Sequence, residues 1–316
     1  MTTTLTPPRS GPDRTGGAPP PPRPAPVPRH QPGPASRTVG TALIILAVLL
    51  LAVVAEAGPL GTLQHSRDRQ VDYAVLRAQL AAGTAPVSTA TSEGVTPLAP
   101  GVPMAVLHIP GIRLREVVRE GTTAGQLARG PGHRRDTPLP GQAGTSVVFA
   151  RQAMYGGSFR RLKELLPGEE FTVVTGQSER PHRYRVTAVR RAGDPQPPVL
   201  ADGKGRLMLV TADGTPFLPT DVLRVDADLV SAPVPGAKPA VAPGALPAEE
   251  RAMGAQESAW MPLVLWLQGL ALAVAALVWI RTRLGRGHAW LIGLPALAAL
   301  SLAAADAALM LLPNLL

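Results

Sequence analysis

Residues 104–230 read as an all-β barrel or sandwich of short strands, and three apolar stretches outside it read as membrane spans. Three observations carry this. Short runs rich in Val, Ile, Leu and Thr recur through 104–230 with Gly, Pro or Asp breaks between them. Three other stretches stay apolar for about the 20 residues that cross a bilayer. The clearest arginine clusters flank those stretches, as topology signals do.

The strand candidates are 104–109, stopped by Pro110-Gly111, then 114–118, 145–150, Glu170–Thr175, His182–Arg190, 207–211 and 222–229. Of these, 206–214 (Arg-Leu-Met-Leu-Val-Thr-Ala-Asp-Gly) organises the rest: alternating large apolar residues and a β-branched close predict a buried strand ended by a turn at Asp213-Gly214. A helical turn is expected over 159–166, before Pro167-Gly168.

Around this domain, residues 1–38 are dominated by Pro, Gly, Thr and Arg and cannot bury enough surface to offset ordering, so they read as a disordered cytoplasmic tail. Residues 39–57 form the first span, an uncleaved anchor rather than a signal peptide, with Arg23, Arg29 and Arg37 upstream on the cytoplasmic side. In 58–103 a juxtamembrane helix follows Gly58-Pro59, with Val71, Ala74, Val75 and Ala78 on its apolar face and Arg67, Asp68, Arg69 and Asp72 facing water, and a linker completes the segment. A second linker covers 231–258, and further spans cover 260–280 and 289–312, joined by the basic loop 281–288. Three crossings from a cytoplasmic tail put the β domain outside the cell and the arginine loop inside. Trp260, Trp279 and Trp290 fall at span ends, where aromatic anchors sit. Asp306 lies inside the third span with no intramembrane partner in the other two, a costly placement that marks it as a candidate functional group.

Composition removes whole classes of chemistry. With no cysteine in 316 residues there is no disulfide, thiolate metal site or thiol nucleophile. No metal-ligand spacing, cofactor motif or Gly-x-Ser-x-Gly elbow is present. A net charge of +9 with 3% aromatic residues, the arginines scattered, argues for membrane topology over nucleic-acid binding.

Several pieces of 104–230, in order, resemble the sortases, surface transpeptidases of Gram-positive bacteria, in a class D/E/F-like actinobacterial form. The opening Ala105-Val-Leu-His-Ile-Pro110-Gly-Ile112 is similar to the family's first strand and Pro turn. Gly121-Thr122, Leu127, Gly130-Pro131-Gly132-His133 and the run 140–145 look like its next loop and helix. The run 159–173 is similar to its Phe-x-x-Leu-x-x-Leu-x-x-Gly-Asp connection, and Tyr184-Arg-Val186 to its Tyr-x-Val. The resemblance implies a closed β-barrel of about eight strands outside the membrane.

It also implies a chemistry: a strand-end cysteine attacks a sorting signal, a histidine protonates the leaving amine and an arginine steadies the oxyanion. The positions matching those residues hold Ala212, Gln152 and, aligned without gaps, Val222. Alanine has no nucleophilic atom, and glutamine cannot exchange a proton near neutral pH. Arg224, two residues on and on the same strand face as 222, is a candidate retained anion-binding group. Thr211 neighbours the lost cysteine but points to the opposite face. Candidate binding residues are His133, in a loop that the resemblance puts near the groove, Thr211 and Gln152.

The leading expectation is therefore a membrane-anchored pseudoenzyme that binds a sorting-signal-like peptide, an envelope partner or a genuine sortase, with no cofactor. The alternatives are an active cysteine-independent transpeptidase or hydrolase, and a passive barrel on a three-span module in which Asp306 carries the activity.

Overall fold

The computed structural model describes residues 2, 34–90, 96–236, 238–284 and 286–316. The expected disordered tail falls outside these residues from 3 to 33, whereas 34–38 open helix α1 (Pro34–Ala55). The chain divides into two units, Met1–Leu43 and Ile44–Leu316; the first holds the start of α1 and the second everything described below.

Gly58-Pro59 does not interrupt the first helix. A π-helical turn, Glu56–Leu60, leads directly into α2 (Gly61–Ala82). A proline inside an α-helix clashes with the carbonyl four residues back and lacks an N–H; the wider π turn absorbs both defects. Helix α2 stops at Gly83, whose left-handed φ of 67° suits a residue without a Cβ.

The face of α2 that packs is opposite to the one its apolar residues suggest. Val71 is 53% exposed and Val75 41%, while His65, Asp72 and Leu76 are buried. The reason lies in the barrel wall. Strand β2 (Leu114–Glu120) turns Glu116 and Arg119 toward the helix, and each requires a partner once covered. Asp72 meets Arg119 at 2.7 Å and His65 meets Glu116 at 3.1 Å, with Arg129 to Asp68 at 2.9 Å alongside. Burial lowers the pKa of the Arg119 guanidinium, with Asp72 opposing the shift. Below these pairs Leu76 and Leu80 join Val106, Val117 and Val174.

The remaining strands are β1 (Pro103–Ile109), β3 (Gly132–His133), β4 (Gly144–Phe149), β5 (Glu170–Thr175), β6 (His182–Arg190), β7 (Gly205–Thr215) and β8 (Leu218–Leu229). They close in the order β1-β2-β3-β4-β7-β8-β6-β5. Pairing is antiparallel except for β2 with β3 and β4 with β7, which are parallel. Period-2 alternation is cleanest in β6, where His182, Tyr184 and Val186 are buried and Arg183 and Arg185 exposed. It is lost in β1, buried on both faces because α2 covers its outside. Inside, residues of seven strands, Leu107, Leu114, Val148, Val173, Val186, Leu209 and Val225 among them, form one core with Phe159, Leu162 and Leu165 of the connection after β4. That connection holds a single 3₁₀ turn, Leu162–Glu164.

Beyond the barrel, α4 (Trp260–Leu284) and α5 (Arg286–Met310) take up most of the expected basic loop. Three helical stretches among the described residues are long and apolar enough to cross a membrane: Leu43–Ala82, Glu257–Ile280 and Gly293–Met310. Trp260 and Trp279, near the two ends of α4, are both exposed.

Candidate functional site: a cleft over Ala212

The β7–β8 hairpin carries the site. Asp213-Gly214 does not end the strand: the ladder shifts register there, Gly214 taking a φ of 117°, and continues to Thr215 opposite Leu218. The turn itself is Pro216-Phe217, where proline cannot donate to a ladder. Ala212 therefore sits within a paired strand, directly opposite Val222 on β8.

Alternation sorts the hairpin into two faces. Leu207, Leu209, Leu223, Val225 and Ala227 enter the barrel core; Val210, Ala212 and Val222 face outward into a second cluster with Val147, Phe149, Leu127 of the short helix α3 (Ala124–Arg129), and Leu315. Gln152, just past β4, borders this second face: its Nε2 donates to the Gly214 carbonyl at 3.1 Å. Positions 152, 212 and 222 are thus brought to one end of one outer face: Ala212 and Val222 share a buried cluster with Leu315, and the Gln152 N–H donates to the Leu315 carbonyl at 2.9 Å.

The cleft is already filled. After α5, segment 312–316 turns back across it, and Asn314, Leu315 and Leu316 are at most 4% exposed. Asn314 Nδ2 donates to the carbonyls of Thr122 (2.8 Å) and Arg251 (2.9 Å), and its N–H to that of Gly254 (2.9 Å). Leu316 packs with Ala57, Ala128, Met154, Tyr155 and Leu309.

Arg151 anchors this corner. Its guanidinium donates to the Ala124 carbonyl at 2.9 Å and the Leu316 carbonyl at 3.4 Å, and lies 5.0 Å from the centroid of the Tyr155 ring. Burial pushes its pKa down to about 10, so it remains charged at neutral pH. The Tyr155 hydroxyl donates to Asp306 Oδ1 at 2.9 Å, and burial, then the Asp306 charge, raises its pKa. Asp306 thus finds its partner in a barrel loop rather than in another span.

Two expected binding residues lie elsewhere. His133 is in β3 rather than an exposed loop, fully buried, with Nδ1 2.9 Å from Glu120 Oε2 and Nε2 3.0 Å from the Pro138 carbonyl. Both ring nitrogens are committed to the barrel wall. Thr211 is 1% exposed on the core face, its hydroxyl without a hydrogen-bond partner among the described residues, pointing away from the cleft as strand alternation requires. Arg224 does share the outer face with Val222, donating to that residue's carbonyl at 3.3 Å. It lines a depression of about 340 Å³ with Arg134, Phe149, Met208, Val210 and Arg251. No group of three or more His, Asp or Glu residues able to hold a metal occurs among the described residues.

Residues 107–224, from the first strand to the far end of this cleft, match the Sortase domain family. The barrel is the part of the chain that carries this match. Among solved structures, a Clostridium perfringens sortase D5 transpeptidase is similar at 17% identity and a TM-score of 0.41, over 52% of this chain and 99% of that one. C. perfringens sortase C, solved with the C-terminal cell wall sorting motif, is 20% identical with a TM-score of 0.39, over 52% and 89%. A variant of Streptomyces avermitilis sortase E is 28% identical with a TM-score of 0.34, over 41% and 88%. No curated protein matches the chain.

The residues that sequence reasoning missed at this cleft are Arg151, Tyr155, Asn314 and Leu315. Pro313-Asn314, breaking an apolar run, is the one local sign that the segment after α5 does something other than span a membrane.

Proposed function

We propose that the protein is a membrane-anchored sortase-domain protein that has lost transpeptidase chemistry and keeps the cleft for binding, its ligand a peptide or an envelope partner. Sortases are transpeptidases, and the reading turns on what stands where their reacting groups belong. One observation carries it: the cleft is floored by Ala212 and Val222 and edged by Gln152, a surface with neither nucleophile nor proton donor, yet it holds a stretch of main chain by backbone hydrogen bonding and apolar contact. Those are interactions that a short peptide from another chain can also make.

Membrane attachment with the barrel outside the cell is part of the same reading. It is supported by Ala57, at the end of the apolar run 39–57, and Leu309, at the end of the third stretch, packing with the same barrel residues Met154 and Tyr155. Two odd-numbered crossings ending at one body fit a barrel on the side opposite the arginine loop.

The test is direct. The full chain in detergent micelles, incubated with a fluorogenic Leu-Pro-x-Thr-Gly peptide, is expected to give no turnover above buffer. Turnover that persists in the presence of thiol blockers would overturn the reading in favour of an active cysteine-independent enzyme.

A further inference from the structure

Segment 312–316, Leu-Pro-Asn-Leu-Leu, is held as a ligand is held. Its main chain is bonded from two walls: the Asn314 N–H to the Gly254 carbonyl on one side, the Leu315 carbonyl to the Gln152 N–H on the other. Its side chains alternate in use. Asn314 reads main-chain carbonyls of Thr122 and Arg251 through its carboxamide. Leu315 is wholly buried in one apolar cluster with Leu127, Val147, Phe149, Val210, Ala212 and Val222. Most of the groups that receive the segment are main-chain atoms and apolar walls, which a peptide from another chain would satisfy equally. The walls come from β4, β7, β8, α3 and the loop near 251–254, whereas the occupant comes from beyond α5.

We infer that the cleft is a binding site for a short apolar peptide that turns at one carboxamide residue, of the Leu-Pro-Asn-Leu-Leu kind, and that residues 312–316, whose Leu316 N–H donates to the Pro313 carbonyl at 3.1 Å, are its resident ligand, displaced when such a peptide arrives from another protein. This rests on the reading of a cleft that binds without breaking bonds, and adds to it the ligand class and the control. Ala212 acquires a positive role: the smallest side chain at that position leaves the space that Leu315 occupies. A tethered ligand competes at an effective concentration in the millimolar range, so the intact chain presents an affinity lowered by the fraction of time the cleft is closed.

The absence of cysteine makes the test clean. In the full chain in micelles, Ala212→Cys with Leu315→Cys is expected to form an intramolecular disulfide on oxidation. The oxidised form should fail to bind a fluorescent Leu-Pro-Asn-Leu-Leu peptide by anisotropy, and reduction should restore binding. Leu315→Asp, which expels the segment, should bind the same peptide at least about tenfold more tightly than the parent chain. The inference is overturned if no disulfide forms in the folded chain, if oxidised and reduced forms bind alike, or if Leu315→Asp binds no peptide. Cleavage of the bound peptide, seen by mass spectrometry, would instead remove the inactive reading and leave the resident ligand standing.

Discussion

The two faces of the β7–β8 hairpin are filled by different means. On the inner face Leu207, Leu209, Leu223, Val225 and Ala227 meet side chains from the other strands of the closed barrel, so the filling is part of the fold. On the outer face Val210, Ala212 and Val222 are covered by Leu127 from α3 and by Leu315, more than 90 residues further along the chain. The inner contacts are lost only when the barrel opens. On the outer face, the cover that Leu315 supplies is lost if one short segment lets go. A single hairpin can therefore be rigid on one side and carry an exchangeable occupant on the other.

The largest effect should come from the inner face. Leu209→Ala removes a wholly buried side chain from a core that cannot collapse around it, and about 4 kcal/mol of global stability should go with it. The measurement is the denaturant midpoint of the chain in mild detergent. An equal fall for Leu315→Ala would erase the distinction between the faces.

Next is the polar counterpart of the inner face. His133 and Glu120 are buried at 0% and 1%, and the imidazole is the carboxylate's side-chain partner. His133→Ala strands that carboxylate and should cost about 2–3 kcal/mol, again as a global shift, while leaving affinity for the Leu-Pro-Asn-Leu-Leu peptide unchanged. Altered peptide affinity would place His133 in the binding apparatus after all. Smaller still, Leu315→Ala should lower stability locally, by about 1–2 kcal/mol. It should speed exchange of the Gln152 amide, whose acceptor is the Leu315 carbonyl, with little change in exchange within β5 and β6.

How much of this could be read in the sequence follows the same division. The inner face is local: β1 is a short apolar run stopped by Pro110-Gly111, and β5 and β6 alternate between Gly, Pro or polar breaks, so all three are legible nearly to the residue. Strand β3 is not, because two residues, Gly132 and His133, make no periodic signal, and it is the partner strands that define them. The face of α2 misleads for a related reason. Its apolar stripe suggests Val71 and Val75, but the demand comes from Arg119 and Glu116, 47 and 51 residues from their partners on the helix, and charge pairing decides which side is buried. Ala212, Gln152 and Val222 could be placed as a group through the family pattern. What covers them could not, since the receiving atoms are mostly carbonyls and amides of 122, 152, 251 and 254, which carry no side-chain signature. Asp306 looked unpartnered for the same cause: Tyr155 is 151 positions away.

The smallest effect separates the faces by pH. His182 is buried at the start of β6, 3.0 Å from Thr175 Oγ1, and burial holds its pKa below the ordinary 6.5. A histidine whose folded pKa is depressed takes up protons more readily in the unfolded chain. Its contribution is complete above about 6.5 and is lost as pH falls from there toward the folded value. The melting temperature of the full chain should therefore drop slightly between pH 7 and pH 5, and part of that drop should vanish in His182→Gln. Because His182 belongs to the barrel and the cleft is closed by carbonyls, amides and leucines, the exchange rate of the Gln152 amide, corrected for intrinsic base catalysis, should not follow the same curve. If it does, opening of the cleft is coupled to the barrel itself, and residues 312–316 are a fixed part of the fold rather than an exchangeable ligand.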